Sequence, residues 1–315
     1  MTIQEAKIFG KKELISSPTP SLDAEVILQF IMNLDKTHLL LERDKILSQE
    51  QEYAFQSAIK KRKTGLPVAY ITNHKEFFGY DFYVTPDVLI PKPDTELLVE
   101  LALEALEDKF RASYEKTCLH SDFIPSVCDM CAGSGCVGLS ILKTINSPER
   151  SEKDVGRSVK LSLVDISEKA LEVSKINGDR LLNSHPSILN TPNFIQSNLF
   201  ENIPQSFDLI VTNPPYVPHT ESLELLKDGR SEPLLALDGD VNEKGEPSGS
   251  NDGLSLIRRL IPQGYEHLNP KGILIMETGE YNAEETGRLF KKTGFRSVRI
   301  EYDMNEMPRD VIGVK

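Results

Sequence analysis

The chain has 315 residues, beyond the usual size of a single domain, and its 36 Lys and Arg against 48 Asp and Glu leave a formal net charge of −12. That balance weighs against a protein gripping nucleic-acid phosphates, and no apolar run approaches the ~20 residues of a membrane helix. Residues 1–14 carry neither an apolar stretch nor a small-residue cleavage site, so no secretory signal is expected, and sparse cysteine use (four residues) suits a reducing compartment, with cytoplasm the natural assignment.

In chain order, Leu22, Val26, Ile27, Phe30, Ile31 and Leu34 recur at helical spacing behind Ser17-Pro18-Thr19-Pro20-Ser21. This predicts an amphipathic helix capped by Ser21. A second helix is predicted from about Ser48 to Arg62, with Lys60-Lys61-Arg62-Lys63 as its solvated, dipole-favoured end. Phe78, Tyr80, Phe82 and Val84 alternate as in a hairpin. Residues 1–85 therefore read as a small helical domain with a hairpin linker, and 86–315 as a second, larger domain.

Ser126-Val127-Cys128-Asp129 reads as a short buried strand, followed by the small-residue turn Cys131-Ala132-Gly133-Ser134-Gly135 opening a helix. Cys128-x-x-Cys131 has metal-ligand spacing, but no second pair or nearby His completes a site; as packing residues Cys128, Cys131 and Cys136 are small fillers. The strand Val159-Lys160-Leu161-Ser162-Leu163-Val164 ends in Asp165, a carboxylate placed either to accept both hydroxyls of a ribose or to cap the helix over 167–177. A strand follows near Phe194, and another, Phe207-Asp208-Leu209-Ile210-Val211-Thr212, stops at Asn213-Pro214-Pro215-Tyr216. Two prolines there make a stiff loop, which taken alone also serves as a plain strand terminator. It can equally hold a planar NH2 group, with side-chain and main-chain carbonyls as acceptors and an aromatic face as cover.

A helix over 254–261, a strand over 272–276, a helix over 283–293 and strands near 298–302 and 311–314 complete the pattern. Such alternation predicts a parallel sheet with helices on both faces, a ligand crevice at the carboxyl ends of the strands and one reversed edge strand. The polar stretches 146–158, 184–193 and 241–250 read as surface loops, the last as an insertion.

The chain resembles the release-factor glutamine methyltransferases of the HemK/PrmC family over nearly its whole length. Besides Asn213-Pro214-Pro215-Tyr216, the matching blocks are Pro67-Val68-Ala69-Tyr70-Ile71-Thr72, Glu76-Phe77-Phe78-Gly79, Leu89-Ile90-Pro91-Lys92-Pro93-Asp94-Thr95-Glu96, Glu232-Pro233-Leu234-Leu235-Ala236-Leu237 and Asp252-Gly253-Leu254. It departs from the family pattern at Cys131 and Asn73, which stand for glycines, at Lys92, which stands for arginine, and at Asn198, where an acid is common. The resemblance implies a seven-stranded Rossmann-like class I methyltransferase domain behind a helical substrate-recognition domain. It also implies S-adenosyl-L-methionine as cofactor and methyl transfer to the glutamine amide of the Gly-Gly-Gln motif in peptide chain release factors. Cys131 to Gly135 are then expected around the methionine part of the cofactor, Asp165 at the ribose, and Asn198 with Leu199 at the adenine. Asn213, Pro214, Pro215 and Tyr216 hold the glutamine, with Asn213, Pro214 and Tyr216 as the catalytic set and Asn213 beside the cofactor. No metal, nucleic acid or membrane is expected as a partner, and a monomer is expected.

Other classes meet the same loop. A ribosomal-protein glutamine methyltransferase differs only in the protein it docks. A DNA amino-methyltransferase acts on an equally planar amine, but it must flip a base, and neither the acidic balance nor an evident basic recognition segment favours that. A non-enzymatic dinucleotide-binding module has no use for Asn213-Pro214-Pro215-Tyr216.

Overall fold

In this computed structural model, which describes residues 1–117, 123–146, 157–182, 191–227, 232–242 and 244–315, the chain opens with helices α1 (Ile3–Glu13), α2 (Pro20–Met32), α3 (Lys36–Leu41), α4 (Gln49–Lys63) and α5 (Val68–Thr72). Helix α4 starts at Ser48 with a capping box to Gln51, and its last turn carries Lys60, Lys61, Arg62 and Lys63. Helix α2 differs from expectation. Its N-cap is Thr19 rather than Ser21, because Pro20 takes the first helical position, where a fixed φ helps and a missing N–H costs nothing. Leu22 and Phe30 are 56% and 53% exposed, while Ala24, Ile27, Leu28 and Met32 are buried. The stripe is rotated because α1 approaches α2 at Gly10, where a Cβ would lie 2.6 Å from that of Ala24. Phe55 and Ile59 complete this helical core with Ile3 and Leu28.

The linker hairpin is β1 (Lys75–Phe77) and β2 (Tyr80–Phe82), turned by Phe78 and Gly79 at φ 52° and 73°, as a tight primed turn requires. Phe77 and Phe82 meet edge-on at 6.0 Å and join the core of the sheet domain. Next comes α6 (Glu96–Thr117), then β3 (Ser126–Met130), α7 (Cys136–Ile145), β4 (Lys160–Asp165), α8 (Glu168–Leu182), β5 (Asn193–Gln196) and β6 (Phe207–Thr212). The remainder is α9 (His219–Lys227), α10 (Ser255–Glu266), β7 (Leu268–Glu277), α11 (Ala283–Thr293), β8 (Arg296–Tyr302) and β9 (Pro308–Val314).

The expected seven-stranded Rossmann-like sheet forms, in the order β5-β4-β3-β6-β7-β9-β8. Strands β3 to β7 pair in parallel, whereas β9 runs antiparallel to both β7 and β8. The reversed strand is thus one place in from the edge rather than at it, since the terminal hairpin sends β8 outward and folds β9 back into the slot beside β7. Both faces are covered: Leu209 and Val211 of β6 enter the core under α6 and α7, and Ile210 enters the one under α10 and α11. Helix α10 runs through Pro262 to Glu266, past the expected stop at 261. Burial of Leu256, Ile257, Leu260 and Ile261 holds it together despite the main-chain bond that the proline forfeits. The expected loops at 146–158 and 184–193 lie largely outside the described residues.

Asp129, at 2% exposure on β3, accepts the backbone N–H of Gly138 at 2.8 Å and so pins α7 to the central strand. Burial pushes its carboxyl up to about 7; the Gly138 bond opposes this and the charge of Asp165 adds to it. A carboxyl raised in the folded state binds its proton more tightly there, so its contribution to stability is complete below the ordinary carboxylate range and is lost as pH rises through about 7. Asp129→Asn keeps an acceptor for Gly138 and removes the titration. Its melting temperature relative to the parent protein is expected to climb between about pH 4 and about pH 7 and to level off above, the window between the unfolded and folded titrations; a constant offset across that range refutes the assignment.

Candidate active site

Pairing places the ends of the central strands in one row. Met130 lies opposite Val164 and Thr212, and Thr212 opposite Met276. The next residue on each strand is therefore Asp165, Cys131, Asn213 or Glu277, and Glu277 in turn faces Asp310 of β9. A cavity of about 250 Å³ opens over this row, near the lower end of the ~300–1,000 Å³ usual for small-molecule sites. Of the residues singled out in the sequence, Cys131, Ala132, Gly133, Ser134, Asp165, Asn198, Leu199, Asn213 and Pro215 line it. Gly135, Pro214 and Tyr216 do not. Gly135 packs as the N-cap of α7, and Pro214 is buried.

The turn after β3 is held from α8, where the Ser174 hydroxyl donates to the Gly133 carbonyl at 2.7 Å and the Asn177 amide to that of Ser134 at 2.9 Å. Cys131 sits at φ 60°, the left-handed region where glycine is the easy choice, so the backbone keeps the family's turn despite the side chain. Burial pushes the thiols of Cys131 and Cys136 up, the latter to about 12, which leaves both protonated and unreactive near neutrality. Among the described residues no cluster of three or more His, Cys, Asp or Glu could hold a metal.

Asp165 does not cap α8. Its Oδ1 accepts the N–H of Ser167 at 2.9 Å and its Oδ2 that of Gly133 at 2.8 Å, while the Ser167 hydroxyl caps the helix through Ala170. The N–H of Ile166 also favours the charged form, and the lone pair left over is open to a ligand hydroxyl. Asn198 is engaged at both ends, donating to Glu201 at 2.9 Å and accepting from Arg259 at 3.2 Å. Leu199, at φ 52°, turns the main chain beside it.

Asn213 donates its Nδ2 to the Thr95 hydroxyl at 3.1 Å, leaving Oδ1 for another partner. Tyr216 donates its hydroxyl to Glu277 Oε1 at 3.2 Å, and its carbonyl accepts from Asn282 at 3.1 Å. Gly239 and Gly253 pack directly on the Tyr216 main chain; a Cβ on Gly253 would stand 2.0 Å from the Tyr216 oxygen, and one on Gly239 2.8 Å from its Cα.

Several contributors had no role assigned from the sequence. Thr95 lies inside a motif block, and Glu277 is an acid one residue beyond a predicted strand, the same signal that marked Asp165. Glu232 accepts from the Ile90 N–H at 3.1 Å and from Lys92 Nζ at 2.7 Å, tying two distant segments together across the cavity mouth. The insertion at 241–250 is more than a solvated loop. Buried Asp240 anchors its base by accepting from Gly253 N at 2.8 Å and the Ser255 hydroxyl at 3.0 Å, Val241 bridges Pro247, and Val241, Asn242 and Gly245 line the cavity beside Arg259.

Comparison with known proteins places the whole chain in a family. The PrmC N-terminal domain matches residues 5–72 and the methyltransferase small domain residues 116–228. The release factor glutamine methyltransferase of Koribacter versatilis is 32% identical over 320 residues, covering 100% of this chain and 99% of that protein. The protein of the same name from Leptospira interrogans is 33% identical over 313 residues, covering 98% and 96%. Among solved structures, the hMettl16 catalytic domain shares the fold with a TM-score of 0.50 at 11% identity, over 84% of this chain and 82% of that one. With about a third of its residues identical to these relatives along almost its entire length, the chain belongs to the release factor glutamine methyltransferase family.

Proposed function

We propose that this protein methylates the side-chain amide of the glutamine in the Gly-Gly-Gln motif of peptide chain release factors, working as a cytoplasmic monomer. The observation that carries the reading is that Asn213 lines the same cavity as Asp165 and the turn after β3. S-adenosylmethionine supplies the electrophilic methyl group, on a sulfonium. Asp165 would hold the ribose hydroxyls through its remaining lone-pair capacity, Cys131 to Ser134 would wrap the methionine part, and the main chain at Asn198 and Leu199 would border the adenine, since the Asn198 side chain is already engaged.

The glutamine nitrogen is a poor nucleophile because its lone pair is shared with the carbonyl. Asn213 Oδ1, at the cavity lining, and the Pro214 carbonyl accept its two N–H groups and the Tyr216 ring covers the amide, Pro214 and Tyr216 meeting the glutamine beyond the lining of the cavity that takes the cofactor. Both hydrogen bonds strengthen as positive charge grows on nitrogen, which is selective stabilisation of the transition state. Fixing nitrogen and methyl at ~3–3.5 Å supplies much of the remaining acceleration. The proton leaves to water after transfer, so no base is needed beforehand. Residues 1–85, with a helical core of their own, serve recognition of the protein substrate, and residues 86–315 the transfer.

Incubation with labelled S-adenosylmethionine and, separately, release factor, ribosomal protein and DNA is expected to place label on the Gly-Gly-Gln glutamine alone; label only on a base overturns the reading. Asn213→Ala is expected to lower turnover by about 10²-fold or more while cofactor affinity survives. Replacing residues 242–249 by two glycines removes the inserted wall and is expected to weaken S-adenosylhomocysteine binding about tenfold, ~1.4 kcal/mol, by calorimetry. Unchanged affinity there refutes a cofactor role for the insertion.

A further inference from the structure

A carboxamide is nearly symmetric in shape, so a half-turn of the Asn213 side chain exchanges its oxygen for its NH2 at little steric cost. Only one orientation serves the proposed reaction, because an NH2 turned toward the glutamine NH2 sets donor against donor. Something must choose. Asn213 Nδ2 donates to the Thr95 hydroxyl at 3.1 Å, and Thr95 is 2% exposed. A hydroxyl that accepts from Asn213 must send its own proton elsewhere. Behind it stands Glu277, 1% exposed, whose Oε1 takes the Tyr216 hydroxyl at 3.2 Å. Thr95 is close enough to the same carboxyl to favour its charged form, and the buried Oε2 of that carboxyl has no hydrogen-bond partner among the described residues, so it is open to the Thr95 proton.

We infer that Thr95 and Glu277 are positioning residues for methyl transfer: the Glu277 carboxylate draws the Thr95 proton, Thr95 thereby presents a lone pair to Asn213 Nδ2, and Asn213 Oδ1 is left facing the acceptor nitrogen. Through the Tyr216 hydroxyl the same carboxylate fixes the covering ring, so one buried acid orients two members of the loop. The inference rests on the proposed role of Asn213.

The groups around Glu277 make its charge conditional. Burial pushes its carboxyl up to about 7; Thr95, Arg309 from β9 and the Tyr216 hydroxyl favour the carboxylate, and Asp94 before α6 disfavours it. Cys136 of α7 is within electrostatic reach and is a neutral thiol near neutrality. Asp310 is held well above the usual range by burial and by Glu277, so of this facing pair it is the one that keeps its proton. Once Glu277 is protonated, Thr95 no longer has an anion to donate to, and the choice of orientation is lost.

The test is steady-state methylation of purified release factor by the full-length protein. Thr95→Val is expected to lower kcat about 10²-fold with KM and cofactor Kd within about threefold, and Thr95→Ser to restore it. Glu277→Gln, whose amide can donate to Thr95 and reverse the relay, is expected to lower kcat at least ~10-fold. It should also abolish the acid limb expected in kcat of the parent protein near pH 7, where Glu277 gains its proton. Should Thr95→Val fail to fold by circular dichroism, Thr95→Ser and Glu277→Gln carry the test. If Asn213→Ala is inactive but Thr95→Val or Glu277→Gln keeps the parent kcat, the relay is wrong. If Asn213→Ala itself is fully active, the underlying reading is wrong instead.

Discussion

Parallel pairing about β3 is the constraint on which the site depends. The register that sets Met130 opposite Val164 and Thr212 leaves no freedom about which residues emerge at the sheet's edge: Asp165, Cys131 and Asn213 follow by one peptide each. A slip of one residue in either strand would send these side chains to the opposite face and bury apolar partners in the wrong core. The alternation of Leu209, Ile210 and Val211 between two hydrophobic layers forbids such a slip. Packing energy spent on the cores is thus what aligns the polar groups.

The same row concentrates acids. Asp129, Asp165, Glu277 and Asp310 are all held above the ordinary carboxylate range, chiefly by burial. Four carboxyl groups near one strand edge oppose folding wherever they must ionise. Proteins retain such groups where their chemistry is needed, and here two of the four have backbone N–H partners while a third receives a tyrosine hydroxyl.

Much of this was legible beforehand because it follows from local rules. Apolar runs of four to six residues marked the strands, a helix was expected from about Ser48, and prolines after Thr212 marked the loop. What escaped depends on contacts between distant segments. The rotated stripe of α2 is set by a glycine on α1, the passage of α10 through Pro262 by burial against the sheet, and the inner place of β9 by pairing order, which no single strand encodes. In the site, Asp165 was readable because an acid at a strand end has few other uses. Thr95 and Glu277 are far apart in sequence, and only the fold brings both to the Tyr216 loop. The loop's residues already allowed a grip on a planar amine, the resemblance named the glutamine, and the residues alone left a plain strand terminator open.

Gly239 and Gly253 clasp the main chain of Tyr216 from positions that flank the inserted hairpin, and Asp240 ties the two together. Whatever lengthens the chain between those anchors is absorbed outward, so the frame of the acceptor loop does not register it. The cavity wall formed by Val241, Asn242 and Gly245 and the placement of the Tyr216 main chain are therefore separable traits. Drift in hairpin length can reshape that wall while the main chain at Tyr216 stays as it was.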